Sequence, residues 1–238
     1  MKIVERELAF VQAEYQEYLS AISHDFAGPL RTMTGFSEII LSNNERVFDE
    51  DTKQLFGFIT AAAADGKAML DDLRQFSRLH RENSEFEAYD SRTLVHAALD
   101  ELADLQEPSG INIQVDPLPI LYGDKTQMQR VFHELLKNAL LYRDDNHNTA
   151  ISVTAYDQEA SVEFRVSDNG IGVPENMDTG IFQVMRRAVV PDEYPGRGMG
   201  LAIARKIVHR HGGTIQLLRD TPETTVFSFT VSKIPVTH

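Results

Sequence analysis

The chain has 238 residues, 42% of them apolar, which suits one large domain or two modest ones with a real core. A formal net charge of −13 argues against sequence-independent binding to nucleic acid. The absence of cysteine rules out a disulfide frame, a thiolate metal site and a cysteine nucleophile, and a reducing compartment fits.

From Leu8 to Leu41 the apolar spacing is helical. Leu8, Val11, Tyr15, Tyr18, Ile22 and Phe26 step by three and four, as along the seam of a bundle. Ser42-Asn43-Asn44 and the charged stretch to Asp51 read as a connection. A second helix starts near Asp51-Thr52, carries Leu55, Phe58, Ala62, Met69, Leu73 and Phe76 on one stripe, and ends near Arg81-Glu82-Asn83. Two long helices and a short turn make an antiparallel hairpin. One hairpin buries too little by itself, so two chains are expected to pair into a four-helix bundle as a homodimer.

The segment Glu85 to Asp90 reads as a linker leading into an edge strand, and Ser91 as the cap of a helix running to about Glu107. Short strands follow at Ile111–Val115 and Ile120–Tyr122. Asp124 caps a helix through Tyr142. Strands at Ile151–Ala155 and Val162–Ser167 alternate around an Asp157-Gln158 turn. The stretch Pro174–Met199 has no period and reads as a long loop. A helix from Gly200 to His211 stops at Gly212-Gly213, and strands at Thr214–Leu218 and Val226–Val231 close the sheet. The expected class is α+β overall: a helical hairpin over 1–82, a linker over 83–90, and an α/β sandwich with helices on one face over 91–238.

No apolar run reaches about 18 residues, and the charged start from Met1 to Glu7 has no signal-peptide core. No membrane insertion is therefore expected, and a cytoplasmic location is. The protein reads either as soluble or as the cytoplasmic part of something longer. With a helix opening almost at Met1, no separate sensory domain is expected within these residues.

Four stretches carry chemistry. His24 lies in Ser23-His24-Asp25-Phe26-Ala27-Gly28-Pro29-Leu30-Arg31, two residues from Ile22 and from Phe26. At about 100° per residue it points roughly 200° from each, away from the seam. Beside the Asp25 carboxylate, a neutral imidazole is a competent phosphoryl acceptor. Pro29 would bend the helix just after it. Within Glu134-Leu135-Leu136-Lys137-Asn138-Ala139, Glu134 and Asn138 share a helix face one turn apart, an oxygen pair suited to Mg2+. Asp168-Asn169-Gly170-Ile171-Gly172-Val173 follows a strand, and its glycines let backbone pass close to a flat ligand while Asp168 can accept from an adenine amino group. Gly196-Arg197-Gly198-Met199-Gly200-Leu201 opens a helix whose first N–H groups suit phosphate oxygens.

In this order, the stretches resemble a sensor histidine kinase over nearly the whole chain. The His24 run looks like the H box of that family, Glu134–Tyr142 like the N box, and Asp168–Gly172 like the first glycine box. Ile181-Phe182 through Arg187 looks like the F box and Gly196–Gly200 like the second glycine box. Asp192-Glu193-Tyr194-Pro195-Gly196 is similar to the kinases attached to phytochromes. The resemblance implies a dimeric hairpin and an ATP-binding domain of the GHKL type shared with gyrase, Hsp90 and MutL. It implies that the γ-phosphoryl group of ATP moves to His24 and then to an aspartate on the receiver domain of a response regulator. The signal would arrive from a sensor in a longer chain or from a separate sensor protein. Asn138 would ligate Mg2+ with Glu134 assisting, Asp168 would bind adenine, and Tyr142 would lie against the nucleotide. Gly196, Gly198 and Gly200 would form the phosphate lid, with Leu201 in the first turn behind it, and Arg187 would help place the γ-phosphate. The linker from Asn83 to Tyr89 would be the hinge that lets His24 reach it.

Four positions depart from the family pattern. Leu141 stands where the N box has a phosphate-contacting lysine, a role left to Lys137 or Arg143. Met185 replaces the second F-box phenylalanine, and Ala27 replaces the H-box arginine. Gly28 stands where many relatives orient water for dephosphorylation, which implies weak phosphatase activity. Leu141 and Ala27 motivate a second expectation, a phosphotransfer hub or dimeric scaffold with a weak or inactive ATP domain. A gyrase-type ATPase clamp gives Ser23-His24-Asp25 no role.

Overall fold

The computed structural model describes residues 2–43, 47–78, 86–107, 110–144, 148–178, 180–186, 197–219 and 224–233, with backbone alone at 2–20, Ser23, His24, Gln75, Arg78 and Asn176. Two compact units, Met1–Glu82 and Asn83–His238, make up the chain.

The first unit is a pair of helices, α1 (Lys2–Asn43) and α2 (Glu50–Arg78), packed on one another. Asp49 accepts the Thr52 N–H on its carboxylate at 2.9 Å, and Glu50 and Asp51 place negative charge at the positive end of α2. The expected end of this helix, near 81–83, lies outside the described residues. α1 runs through Pro29, which has no N–H to give. On either side the Thr32 and Thr34 hydroxyls donate back to the Gly28 and Leu30 carbonyls at 3.1 Å.

Small residues bring α1 and α2 together. Ser37, Ala63 and Ser77 are buried, and a Cβ at Gly66 would stand 3.1 Å from Leu30 Cδ1. Phe48 stacks on Phe56 beside the connection, centroids 5.7 Å apart. Of the large apolar residues expected along the seam, Met69, Leu73 and Phe76 are half-buried, the side chains from Leu8 to Tyr18 lie outside what is described, and four are exposed. Ile22 and Phe26 on α1 are exposed, as are Leu55 and Phe58 on α2, both at 62%. A second stripe of small side chains allows the close approach and turns the bulky stripe outward.

In the second unit, β1 (Glu87–Asp90) pairs antiparallel with β3 (Ile120–Gly123) as a two-stranded sheet. Of the segment expected as a linker over 83–90, residues 83–85 lie outside the described residues, while 87–90 are this paired strand. The main sheet holds β2 (Ile111–Val115), β4 (Thr149–Asp157), β5 (Ser161–Asp168), β6 (Ile215–Leu218) and β7 (Thr225–Ser232) in the order β2-β4-β5-β7-β6. β2 and β4 run parallel, and the other neighbours antiparallel.

Strand alternation gives the sheet one apolar face. Val162, Phe164 and Val166 lie opposite Val231, Phe229 and Phe227. α5 (Lys125–Leu141) lays Met128, Val131, Phe132, Leu135 and Leu136 over that face, and Phe132 meets Phe164 and Phe229 at 5.4 and 5.5 Å. α3 (Ser91–Glu101) and α6 (Gly200–Arg210) flank α5. On the opposite face Glu163 accepts from Arg165 and Ser228, a polar surface without a helix.

Two expectations need correction. Asp90, not Ser91, caps α3 by accepting the Arg92 N–H at 2.9 Å, because the Ser91 N–H and hydroxyl are both given to the Pro119 carbonyl. The helix also breaks at Leu102 before a short α4 (Ala103–Gln106). The stretch from 174 to 199 is not structureless where it is described. Single 3-10 turns at Glu175–Met177 and Gly180–Phe182 bury Ile181 and Phe182, and Phe182 stands edge-on to Phe227 at 6.2 Å.

One buried knot fixes α5 and α6 relative to the start of the unit. His211, the C-cap of α6, accepts the Asp124 N–H on Nε2 at 3.0 Å and donates from Nδ1 to the Ile207 carbonyl at 2.9 Å. Phe86 stacks on the same ring at 5.2 Å. Asp124 in turn caps α5 through the Gln127 N–H. The helices that carry Glu134–Asn138 and Gly200-Leu201 are thereby held at opposite ends of one imidazole.

Candidate nucleotide-binding site

The C-terminal half of α5, the end of β5 and the start of α6 converge. α5 supplies Glu134, Lys137 and Asn138, and Tyr142 caps its C-terminus by donating its N–H to the Asn138 carbonyl at 2.9 Å. The Glu134 carboxylate sits against the first residue of α6: a Cβ at Gly200 would stand 2.4 Å from Glu134 Oε2. Arg130, one turn earlier, lies 3.6 Å from the other Glu134 oxygen. A side chain at position 200 would push aside the end of Glu134, one of the expected metal-binding pair.

β5 ends on Asp168, which is 6% exposed and opposite Thr225 in the sheet. Its Oδ1 accepts the Gly170 N–H at 2.9 Å, and the Thr225 hydroxyl also donates to it. Burial outweighs these bonds and pushes the carboxyl up to about 6. Chain direction then reverses under tight control. Ile171 donates its N–H to the Tyr142 carbonyl at 2.9 Å, and a Cβ at Gly170 would fall 2.2 Å from that oxygen. Asn169 points the other way, holding the start of β4 through the Ala150 N–H and the Asn148 carbonyl. Gly172 has φ +78 with open space around it.

Gly198 has φ +69, and a Cβ there would lie 2.4 Å from the Arg186 carbonyl. Just before Arg186, Met185 also holds a positive φ of 59, a strained conformation for a side chain with a Cβ. Met199 precedes α6 without giving it a side-chain cap, so the N–H groups of its first turn, Leu201 included, are available to an anion. Arg187 and Gly196 lie outside the described residues.

Glycines at 170 and 198 thus let their segments pass directly against the Tyr142 and Arg186 carbonyls, which brings a buried carboxylate and the start of α6 to the end of α5 that bears Glu134 and Asn138. Hard oxygen donors on Glu134 and Asn138 fit magnesium. Among the described residues no cluster of three or more His, Cys, Asp or Glu makes a metal cage, so such an ion would also need oxygens from its ligand. Arg143 is engaged on the Leu105 and Leu140 carbonyls at 3.3 and 3.4 Å. Sequence reasoning missed Thr225, whose hydroxyl no motif marks, and gave no part to the Arg186 carbonyl within the F-box-like run.

His24 and Asp25 lie on α1 in the first unit. Asp25 is exposed, and the His24 side chain is outside what is described.

Residues 123–236 match the family of histidine kinase-, DNA gyrase B- and HSP90-like ATPases. Cyanobacterial phytochrome B of Nostoc is 32% identical over 96% of this chain and 31% of its own length. Over nearly its whole length the chain is thus similar to sensor histidine kinases, and residues 123–236 carry the ATPase family's domain. The chain spans about three tenths of the length of the curated relatives it matches first. Its fold is that of full-length ShkA solved with AMPPNP, at TM-score 0.65 and 21% identity over 92% of this chain and 47% of that one. It is also similar to the histidine kinase ThkA solved with the response regulator TrrA, at TM-score 0.62 and 19% identity over 99% of this chain and 68% of that one. Among the described residues, no helix is long and apolar enough to cross a membrane.

Proposed function

We propose that the protein is a two-component histidine kinase that phosphorylates His24 from Mg-ATP and passes the phosphoryl group to an aspartate of a response-regulator receiver domain. The observation that carries this reading is the approach of the turn after buried Asp168 and of the start of α6 to the C-terminal half of α5, with a histidine–aspartate pair on a separate helical unit. ShkA, of the same fold, was solved with a nucleotide analogue, and ThkA with a response regulator.

In this mechanism Asp168 accepts the adenine amino group, and the Tyr142 side chain packs on the nucleotide. Asn138 and Glu134 would hold a magnesium ion, which would supply neutralisation of the phosphate charge. The α6 N-terminal amides and the Gly198–Gly200 turn align the phosphates. One ring nitrogen of His24 attacks the γ-phosphorus. The N–P bond forms as the bond to the ADP oxygen breaks, and Asp25 accepts the proton of the other ring nitrogen. Any hinge between the units lies before β1, because residues 87–89 of the expected hinge are held in that paired strand. The outward stripe of Phe26, Met33, Phe36, Leu55 and Phe58 supports pairing with a second copy of the chain.

Incubation with γ-labelled ATP and magnesium tests this reading. Label stable in base and lost in acid is expected on the native chain and absent from His24→Gln and Asn138→Ala. Full labelling of His24→Gln refutes it. A second reading, a phosphotransfer hub with a weak ATP domain, rests on Leu141 and on the engagement of Arg143 by carbonyls. Absence of ATP and ADP binding at millimolar concentration favours that alternative.

A further inference from the structure

The segment that leaves Asp168 is pinned at two ends. Its near end is held by the α5 terminus, through the Ile171 N–H on the Tyr142 carbonyl. Its far end is held by one side chain from a distant part of the sequence, Arg219, which directly follows β6. Arg219 Nη2 donates to the Val173 carbonyl at 2.9 Å and the Pro174 carbonyl at 3.1 Å. Its Nε donates to Asp178 Oδ1 at 3.0 Å, and Nη2 reaches the same oxygen. The paired guanidinium holds the Asp178 carboxyl below its ordinary range. Between the two anchors lies Gly172, in a left-handed conformation with nothing against it.

Stability does not explain this arrangement. The side chains of Arg219 and Asp178 are 38% and 46% exposed, and ion pairs in water contribute little. Geometry does explain it. Nη2 gathers three acceptors, two of them successive carbonyls, and Nε holds the Asp178 oxygen a second time, so the planar fork fixes their mutual orientation more firmly than a rotating ammonium would. The β6 strand that carries Arg219 is itself registered against β7, the strand that brings Thr225 to Asp168. One sheet edge therefore sets both the carboxylate and the loop that runs away from it.

We propose that Arg219 is a positioning residue for the nucleotide: by clamping Val173, Pro174 and Asp178 it presets the glycine turn beside Asp168 against which the base is received. This rests on the nucleotide-binding reading above. Arg219 touches no reacting atom, so its loss should weaken binding and leave chemistry alone.

The test uses the full chain, calorimetric titration with ADP, and autophosphorylation rates at varied ATP. In Arg219→Ala, the ADP Kd and the KM for ATP should each rise about tenfold, because the turn must be ordered at the moment of binding. The kcat should stay within about twofold. Arg219→Lys should behave like the alanine variant, while Asp178→Asn, which keeps an acceptor, should lose about threefold or less. Native ADP affinity in Arg219→Ala overturns the proposal, and so does full rescue by lysine, which would leave only a point charge at work. A kcat loss equal to the loss in kcat/KM overturns it as well. If the native chain itself binds no ADP, the failure lies with the nucleotide-binding reading, and the role of Arg219 falls with it.

Discussion

Asp168 is where burial and function pull against each other. A carboxyl in an unfolded chain titrates near 3.8, and this one near about 6. Between those values the native protein keeps a proton that the unfolded chain has lost. The contribution of Asp168 to stability is thus complete below pH 3.8, declines as pH rises through the window, and is gone above about 6. The loss is on the order of 2–3 kcal/mol. An amino group donating to this carboxylate favours the ionised form, so nucleotide binding should expel the proton. ADP affinity should therefore weaken roughly tenfold from pH 7 to pH 5 in the native chain, and far less in Asp168→Asn, as read by calorimetry. Parallel pH profiles for the two proteins would show that the carboxyl does not receive the base. Asp168 stood out in the sequence as a carboxylate after a strand and before two glycines. The partner that accompanies it, Thr225, did not, because cross-strand register joins residues 57 positions apart only after β5 and β7 have paired.

Elements were legible where their signal is local. The apolar period of α5, its Asp124 cap and the glycine stop after α6 are written within a few residues of each feature. The start of α3 shows the limit. Asp90 and Ser91 are both good capping residues, and the sequence alone favours neither decisively. The Pro119 carbonyl, brought up by the β1–β3 pairing, takes the serine hydroxyl and leaves the cap to aspartate. Asp90→Ala should accordingly lower the unfolding free energy by about 1 kcal/mol and Tm by a few degrees, measured by chemical and thermal unfolding. An unchanged stability would mean that Asp90 does not hold the helix. The 3-10 turns at 175–177 and 180–182 were invisible for a different reason: three residues are too few to display a period.

At the scale of the molecule, the two helices of the first unit expose a run of large apolar side chains that the chain by itself leaves in water. Phe26, Phe36, Leu55 and Phe58 are each about 60% exposed. Covering such a stripe is the strongest available driving force for pairing, since each fully buried aromatic or leucine contributes about 1.5–3 kcal/mol. A Phe58→Glu variant should therefore weaken self-association by at least about tenfold, seen by light scattering over a dilution series. It should leave nucleotide binding by the other unit intact. Undiminished self-association would place the dimer contact elsewhere.

Order and type of the elements, the hairpin, and the candidate chemistry at His24, Asn138 and Asp168 all followed from the amino-acid order, because period, capping and turn residues act over a few positions. Tertiary structure decided which apolar stripe faces inward and which glycines are obligatory. Gly170 must pass the Tyr142 carbonyl, and Gly198 must pass the Arg186 carbonyl in a left-handed conformation. Those constraints arise only when segments far apart in the chain are brought within van der Waals distance, and excluded volume leaves no trace in a local pattern.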